Sequence, residues 1–172
     1  MPIKILFCGA GRQAVTIFHT LLQYSQQADD LSLCGIITQP DKQAGRGQQL
    51  TACPCKAFFY TCRTDIPCFQ PESLREMADK ILATTQPDLI VVIDYGQIIS
   101  PAVLAYPKFK CLNIHHSLLP VLRGATPIPM AILQGLKQAL QVVPDALLVG
   151  CQQRAETSAP SGRLVAPADL LT

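Results

Sequence analysis

The sequence predicts an α/β fold, a doubly wound and mostly parallel sheet of Rossmann-like type. Three observations predict it. Short apolar runs alternate with amphipathic stretches of helical period. The run Leu89-Ile90-Val91-Val92-Ile93 is apolar throughout, as in strands covered on both faces of a parallel sheet. Unusual residues gather just after the apolar runs, the edge at which such sheets collect ligands.

The elements follow in order. Ile3 to Cys8 reads as a buried first strand, and Gly9 and Gly11 open the turn after it. Val15, Phe18, Leu21 and Leu22 then fall on one helical face, and polar Gln26 to Asp30 close that helix. Leu31 to Ile37 is the second strand of a parallel crossover unit. Thr38 to Gln49 is polar, holds Gly45, Gly47 and Pro40, and reads as one long loop, a feature that is usually functional when it sits inside a compact domain. A helix is expected near Pro54 to Thr61, a short edge strand at Ile66 to Phe69, and a helix from Pro71 bearing Leu74, Met77, Ile81 and Leu82. The strand Leu89 to Ile93 ends in a turn, Asp94-Tyr95-Gly96-Gln97. A short helix at Pro101 to Ala105 and a strand at Cys111 to His115 complete the alternation. From Gln141 to Thr172 no clear strand–helix unit appears.

Composition narrows the function classes. The chain has 172 residues, 49% apolar and 15% charged, enough to bury the core of one domain. Lys+Arg number 14 and Asp+Glu 12, a net charge of +2, which excludes a polybasic nucleic-acid arm. No apolar run reaches membrane-spanning length, and the N-terminus lacks the pattern of a secretory signal, so a cytoplasmic protein with no membrane partner is expected. In that compartment the 8 cysteines stay reduced. Cys53, Cys55, Cys62 and Cys68 are the only cluster, and they lack the Cys-x-x-Cys knuckle of zinc sites, so no metal is expected.

Two segments invite a chemical reading. Gly9-Ala10-Gly11 with Ala14 approximates a dinucleotide fingerprint, but Thr38 and Gln39 stand where an acidic residue should follow the second strand. A tight strand–helix turn is the better reading. The second segment runs from Asn113 to Gly124. Asn113 and His115, two apart on a strand, share a face. An amide there can stabilise an oxyanion, and an imidazole can move a proton near neutral pH. That pair suits acyl transfer, although two polar residues at a strand end satisfied by backbone would look the same. His116 falls on the opposite face or in the turn, and His19 on the face of the first helix. Neither is assigned a role.

Asn113-Ile114-His115-His116-Ser117-Leu118-Leu119-Pro120, followed by Arg123-Gly124 and Pro127, resembles the formyltransferase domain that uses 10-formyltetrahydrofolate. Within that superfamily, Thr38-Gln39-Pro40-Asp41 with Ala44-Gly45-Arg46-Gly47 resembles the methionyl-tRNA formyltransferases. Phe69-Gln70-Pro71, Pro87 to Val92 and Tyr95 to Ile99 extend the resemblance across Ile3 to Gly135. It implies that Asn113 and His115 are two members of an Asn–His–Asp catalytic set. It implies a folate site at Tyr95, Gly96, Gln97 and Ile98 and at Ser117, Leu118, Leu119 and Pro120. It implies contact of Lys42, Gly45 and Arg46 with the acceptor end of initiator methionyl-tRNA. Basic residues suit that task, since phosphate contacts dominate nucleic-acid affinity. The implied activity is formyl transfer to the amino group of methionyl-initiator tRNA. A formyltransferase for a small amine, or an inactive folate- or RNA-binding remnant, are the alternatives.

The chain departs from the family pattern in three places. Ala10-Gly11-Arg12-Gln13 replaces Thr-Pro and an aromatic run, Asp94 replaces a small apolar residue, and the pattern is lost after Gly135. Residues 1–135 are thus expected to form a partial catalytic domain and residues 136–172 a poorly ordered tail. The third catalytic residue, an Asp, and the family's C-terminal β-barrel find no match after Gly135. Impaired activity is expected for that reason. The codons CTG AAA CAG GCG TTA CA can encode Leu136 to Leu140 and the start of Gln141. Read from their third base, they give Glu-Thr-Gly-Val-Thr, the family's own continuation. A shifted reading frame near Gly135 therefore predicts that the gene, sequenced downstream of codon 135, encodes Glu-Thr-Gly-Val-Thr in the alternative frame. Unrelated residues in that frame would refute this origin for the tail.

Overall fold

A computed structural model describes residues 1–117, 119, 122, 127–136 and 141–144. The chain divides into two compact units, the first Met1–Asn113 and the second starting at Ile114.

In the first unit, β1 (Ile3–Gly9) leads into α1 (Arg12–Gln27), which returns the chain to β2 (Leu31–Ile37) beside β1. A hairpin of β3 (Lys42–Ala44) and β4 (Gln49–Thr51) follows, then α2 (Pro54–Phe59), β5 (Cys68–Phe69), α3 (Leu74–Thr85), β6 (Leu89–Ile93) and α4 (Pro101–Ala105). β7 (Cys111–His115) begins in this unit and ends in the second. The strands run β5-β2-β1-β6-β7, and every adjacent pair is parallel. The predicted doubly wound parallel sheet is therefore present, and its direction of growth reverses at β1.

Alternation along β1 assigns the two faces of the sheet. Phe7 packs against Phe18 of α1, their ring centroids 5.4 Å apart. Phe18 also meets Phe59 of α2 at 6.0 Å, so α1 and α2 share this side. Leu6 points the other way, and its methyl group lies beside Gly35 together with Thr85 of α3. α1 buries Ala14, Phe18 and Leu22, and α3 buries Leu74, Ala78, Ile81 and Leu82, in each case the stripe expected of an amphipathic helix. Asp88 ties the start of β6 to β1. Its carboxylate accepts from the Lys4 amide at 2.9 Å, and its own amide donates to the Lys4 carbonyl at 2.8 Å.

Cys8, Cys55 and Cys111 are buried, and the seven cysteines among the described residues are free thiols. Burial pushes Cys55 up to about 12 and Cys34 up to about 11. These thiols behave as small apolar core residues. No group of His, Cys, Asp or Glu among the described residues could hold a metal ion. No helix among them is long and apolar enough to cross a membrane.

Three local expectations are corrected. The segment Thr38 to Gln49 is not loop throughout: Lys42 pairs with Thr51, Gln43 with Leu50 and Ala44 with Gln49 in an antiparallel ribbon. The turn between the strands contains Gly45 at φ +71°, so the glycine that suggested a loop instead serves a hairpin. The short strand predicted at Ile66 to Phe69 is only the pair Cys68–Phe69, matched to Ile36 and Ile37. In the second unit a helix, α5 (Pro127–Leu133), precedes a strand, β8 (Gln141–Pro144), and β8 stands where no regular unit was expected from Gln141 onward. Val142 and Val143 supply the β-branched pair that favours a strand, and Pro144 stands at its end. Residues 145–172, most of the proposed tail, lie outside the described residues.

Candidate functional site

The sheet's register builds the site. Gly9 pairs with Ile93, and Val92 pairs with Asn113, so β1, β6 and β7 end side by side. Gly9, Asp94 and Asn113 therefore stand together at the carboxyl edge, next to the reversal point where crevices open in this class of sheet.

Two of the three departures from the family pattern meet at this edge. Asp94 adopts a left-handed backbone at φ +49° and is exposed. A Cβ built on Gly11 would fall 2.6 Å from its carboxylate oxygen, 3.1 Å from its Cβ and 3.2 Å from its Cγ. Gly11 is the N-cap of α1, which has no side-chain cap and no acidic residue in its first turn. The Asp94 carboxylate thus lies beside the positive end of an otherwise uncapped helix, and only a glycine at position 11 leaves room for it. Exposure and the helix end together spare Asp94 the desolvation cost that its position in an apolar pattern suggested.

The turn after β6 divides its residues between support and display. The Tyr95 ring is buried, and desolvation raises its phenol well above the usual range. Its hydroxyl finds no partner. The amide of Gln97 is committed to α3. Its oxygen accepts from the Leu74 amide at 2.9 Å, and its nitrogen donates to the carbonyls of Pro71 at 3.0 Å and Glu72 at 3.4 Å. Gln97 supplies the amino-terminal cap that Ser73 does not. Gly96 and Ile98 are exposed, with 55% of Ile98 open to solvent. Of the four residues assigned to the folate site in this turn, Gly96 and Ile98 face outward, and Tyr95 and Gln97 hold the turn.

Lys42, Gly45 and Arg46 are all exposed on the β3–β4 hairpin. Lys42 donates from Nζ to Gln39 Oε1 at 2.9 Å, and neighbouring Asp41 forms an ion pair of 2.6 Å with Lys56 of α2. That hydrogen bond to Asp41 raises the Lys56 pKa.

At the end of β7, Asn113 and His115 are half-buried. In the second unit, Ser117 is buried and its Oγ lies 3.0 Å from His115 Nδ1. The same hydroxyl donates to the Leu122 carbonyl at 3.3 Å. A hydroxyl has one proton. With that proton directed at the Leu122 carbonyl, the 3.0 Å contact is one in which Nδ1–H donates to Oγ. Leu119 is half-buried, and Leu118 and Pro120 lie outside the described residues. His116 is buried, while His19 is exposed with its ring edge-on to Phe58 at 5.3 Å.

The sequence reading did not find the roles of Gln39 and Ser117. Gln39 lies within the quoted Thr-Gln-Pro-Asp motif, yet its partner is 56 positions away. Ser117 was expected at the folate site from the resemblance, and the contact of its hydroxyl with the imidazole was not foreseen.

Residues 1–143 match the formyl transferase family. The methionyl-tRNA formyltransferase of Bacillus licheniformis is 44% identical over 134 residues, covering 77% of this chain and 40% of that protein. The Bacillus subtilis methionyl-tRNA formyltransferase is 42% identical over 137 residues, covering 78% and 41%. The chain thus spans about two fifths of the length of these curated relatives. Among solved structures, glycinamide ribonucleotide transformylase 1 of Geobacillus kaustophilus superposes with a TM-score of 0.60 at 18% identity, covering 91% of this chain and 92% of that one. At that identity the likeness is one of fold.

The close approach of Gly11 and Asp94 generates a prediction. Gly11→Ala should destabilise the chain by about 1 kcal/mol, the low end for inserting a methyl group into filled space. Gly11→Ala combined with Asp94→Gly should recover most of that loss. Urea denaturation of the four members of this cycle measures the coupling, and strictly additive effects would show that the two positions do not touch.

Proposed function

Because the chain belongs to the formyl transferase family, we propose that it is built to move a formyl group from 10-formyltetrahydrofolate to the amino group of methionyl-initiator tRNA. The observation that carries this reading is the end of β7, where an amide donor at Asn113 precedes an imidazole whose Nδ1 is engaged by Ser117. The names of the relatives and the exposed Lys42 and Arg46 on the hairpin support tRNA as the acceptor.

The turn after β6 fits a folate, since it offers an exposed apolar side chain at Ile98 and a glycine backbone at Gly96 for a flat heteroaromatic ring. Bound there, the folate supplies an electrophilic formyl carbon. The side-chain amide of Asn113 donates to the formyl oxygen as negative charge develops on it, an interaction stronger in the transition state than before it. As the methionyl nitrogen bonds to the formyl carbon, Nε2 of His115 takes the proton that the amine must lose and returns it to N10 of the folate as the carbon–N10 bond breaks and tetrahydrofolate leaves. The Ser117 hydroxyl with the Leu122 carbonyl favours the tautomer able to do so. Lys42 and Arg46 hold the acceptor end by its phosphates. Ser117 orients the imidazole but is not an anion, so it does not stabilise the imidazolium as the family's Asp does. With that Asp unmatched, turnover is reduced, and loss of the Asp in a comparable triad costs about four orders of magnitude.

Single-turnover assays at high protein concentration, with labelled formyl donor and charged initiator tRNA competing against glycinamide ribonucleotide, test this reading. Slow appearance of label in the RNA as formylmethionine is expected, and His115→Ala should lower it at least about tenfold. Label entering the small amine would favour the alternative acceptor. Folate binding with no transfer to either acceptor would favour an inactive remnant. Transfer unchanged by His115→Ala would remove His115 from the mechanism.

A further inference from the structure

The side chain of Gln39 makes contacts in two directions. Its Nε2 donates to the Tyr95 carbonyl at 2.5 Å, in the turn that closes β6. Its Oε1 accepts from Lys42 Nζ at 2.9 Å, at the first residue of the β3–β4 hairpin. Gly96 is shaped for this arrangement: its φ is +78°, and a Cβ there would collide with Gln39 Nε2. A side chain at position 96 would expel the amide that bridges the two segments.

The hairpin depends on such anchors. Its strands are three residues each, and residues 41–51 are exposed throughout. Two-stranded ribbons of this size are not stable alone in water. Besides Gln39, the ion pair of Asp41 with Lys56 holds its base to α2. Gln39 reaches from that base to the β6 turn. Its amide is neutral, so it orients the Lys42 ammonium without cancelling its charge, and two of the three N–H donors stay available for a phosphate.

We propose that Gln39 is a positioning residue that couples the donor turn to the acceptor hairpin. A pterin-bearing ligand seated against Gly96 and Ile98 fixes the Tyr95 carbonyl. Gln39 passes that constraint to Lys42 and holds the hairpin ready for the phosphates of an RNA end. This rests on the functional reading above, in which the turn takes the folate and the hairpin takes the RNA. Couplings between sites commonly amount to factors of about 5 to 150.

Hydrogen exchange of the full chain, with and without 5-formyltetrahydrofolate, tests it. In the unmodified protein the ligand should slow exchange at residues 94–99 and also, by about tenfold, at residues 42–51. Gln39→Glu keeps an acceptor for Lys42 but loses the donor to the Tyr95 carbonyl. It should retain protection at 94–99 and lose the slowing at 42–51. Gln39→Met removes both bonds at similar length and should behave the same way, so either variant that retains the native circular dichroism spectrum decides the matter. Slowing of the hairpin that survives in a folded variant overturns the coupling. Protection at 94–99 without any effect on the hairpin in the unmodified protein also overturns it, while leaving the functional reading standing. No protection at 94–99 overturns the folate reading and the coupling with it.

Discussion

The pairing of β1 between β2 and β6 is the constraint on which the rest of the molecule depends. Leu6, Phe7 and Cys8 are almost wholly buried, with helices covering both faces of the strand. Full burial of an apolar side chain contributes about 1.5–3 kcal/mol, so the central strand has little freedom of register. A slip of one residue would turn Phe7 away from Phe18 and direct Leu6 toward it. It would also part Gly9 from Ile93 and carry the α1 cap at Gly11 away from Asp94. Between β1 and β2 the register does shift once, after Ile5, where Leu33 is followed as a partner by Gly35. The irregularity lies on the far side of β1 from β6, and the pairing that builds the site is continuous from Ile5↔Leu89 to Gly9↔Ile93.

Around that edge the protein separates residues that hold backbone from residues that meet solvent. Gln97 caps α3, Gln39 braces the β6 turn, and Asp88 joins β6 to β1. Each uses a side-chain amide or carboxylate to satisfy backbone groups that a turn, a helix end or the start of a strand leaves open. Gly96, Ile98, Lys42 and Arg46 remain exposed. A motif can therefore persist for two different reasons within four residues: in Tyr95-Gly96-Gln97-Ile98, alternate members face the structure and the solvent.

The fold was legible because its signals are local. The apolar run Leu89–Ile93 and the stripes of α1 and α3 each encode their own burial. The hairpin was not legible, since Lys42-Gln43-Ala44 and Gln49-Leu50-Thr51 are exposed on both faces and carry no alternation to read. At the site, Asn113 and His115 stood out as residue types suited to acyl chemistry. The contribution of Gln39 was invisible because it depends on a carbonyl brought near by the sheet, and backbone atoms leave no trace in residue identity. Asp94 and Gly11 each read as an isolated departure, and only their proximity makes the two substitutions a complementary pair. The contact of Ser117 with the imidazole was not legible for a simpler reason: a hydroxyl two residues from an imidazole can face a ligand or the ring, and sequence does not distinguish them.

The proposed function requires the turn after β6 to be a folate surface, with Gly96 and Ile98 displayed on a scaffold held by Tyr95 and Gln97. Calorimetric titration of the full chain with tetrahydrofolate tests this most directly, alongside Ile98→Asp, which places a charge on the exposed apolar position without touching the bracing hydrogen bonds. Saturable binding by the unmodified chain, weakened at least about tenfold in the variant, is the predicted result, since burying an unpaired carboxylate against an apolar ring costs well over the 1.4 kcal/mol that a tenfold change represents. Absence of saturable binding, or equal affinity in the two proteins, would contradict it.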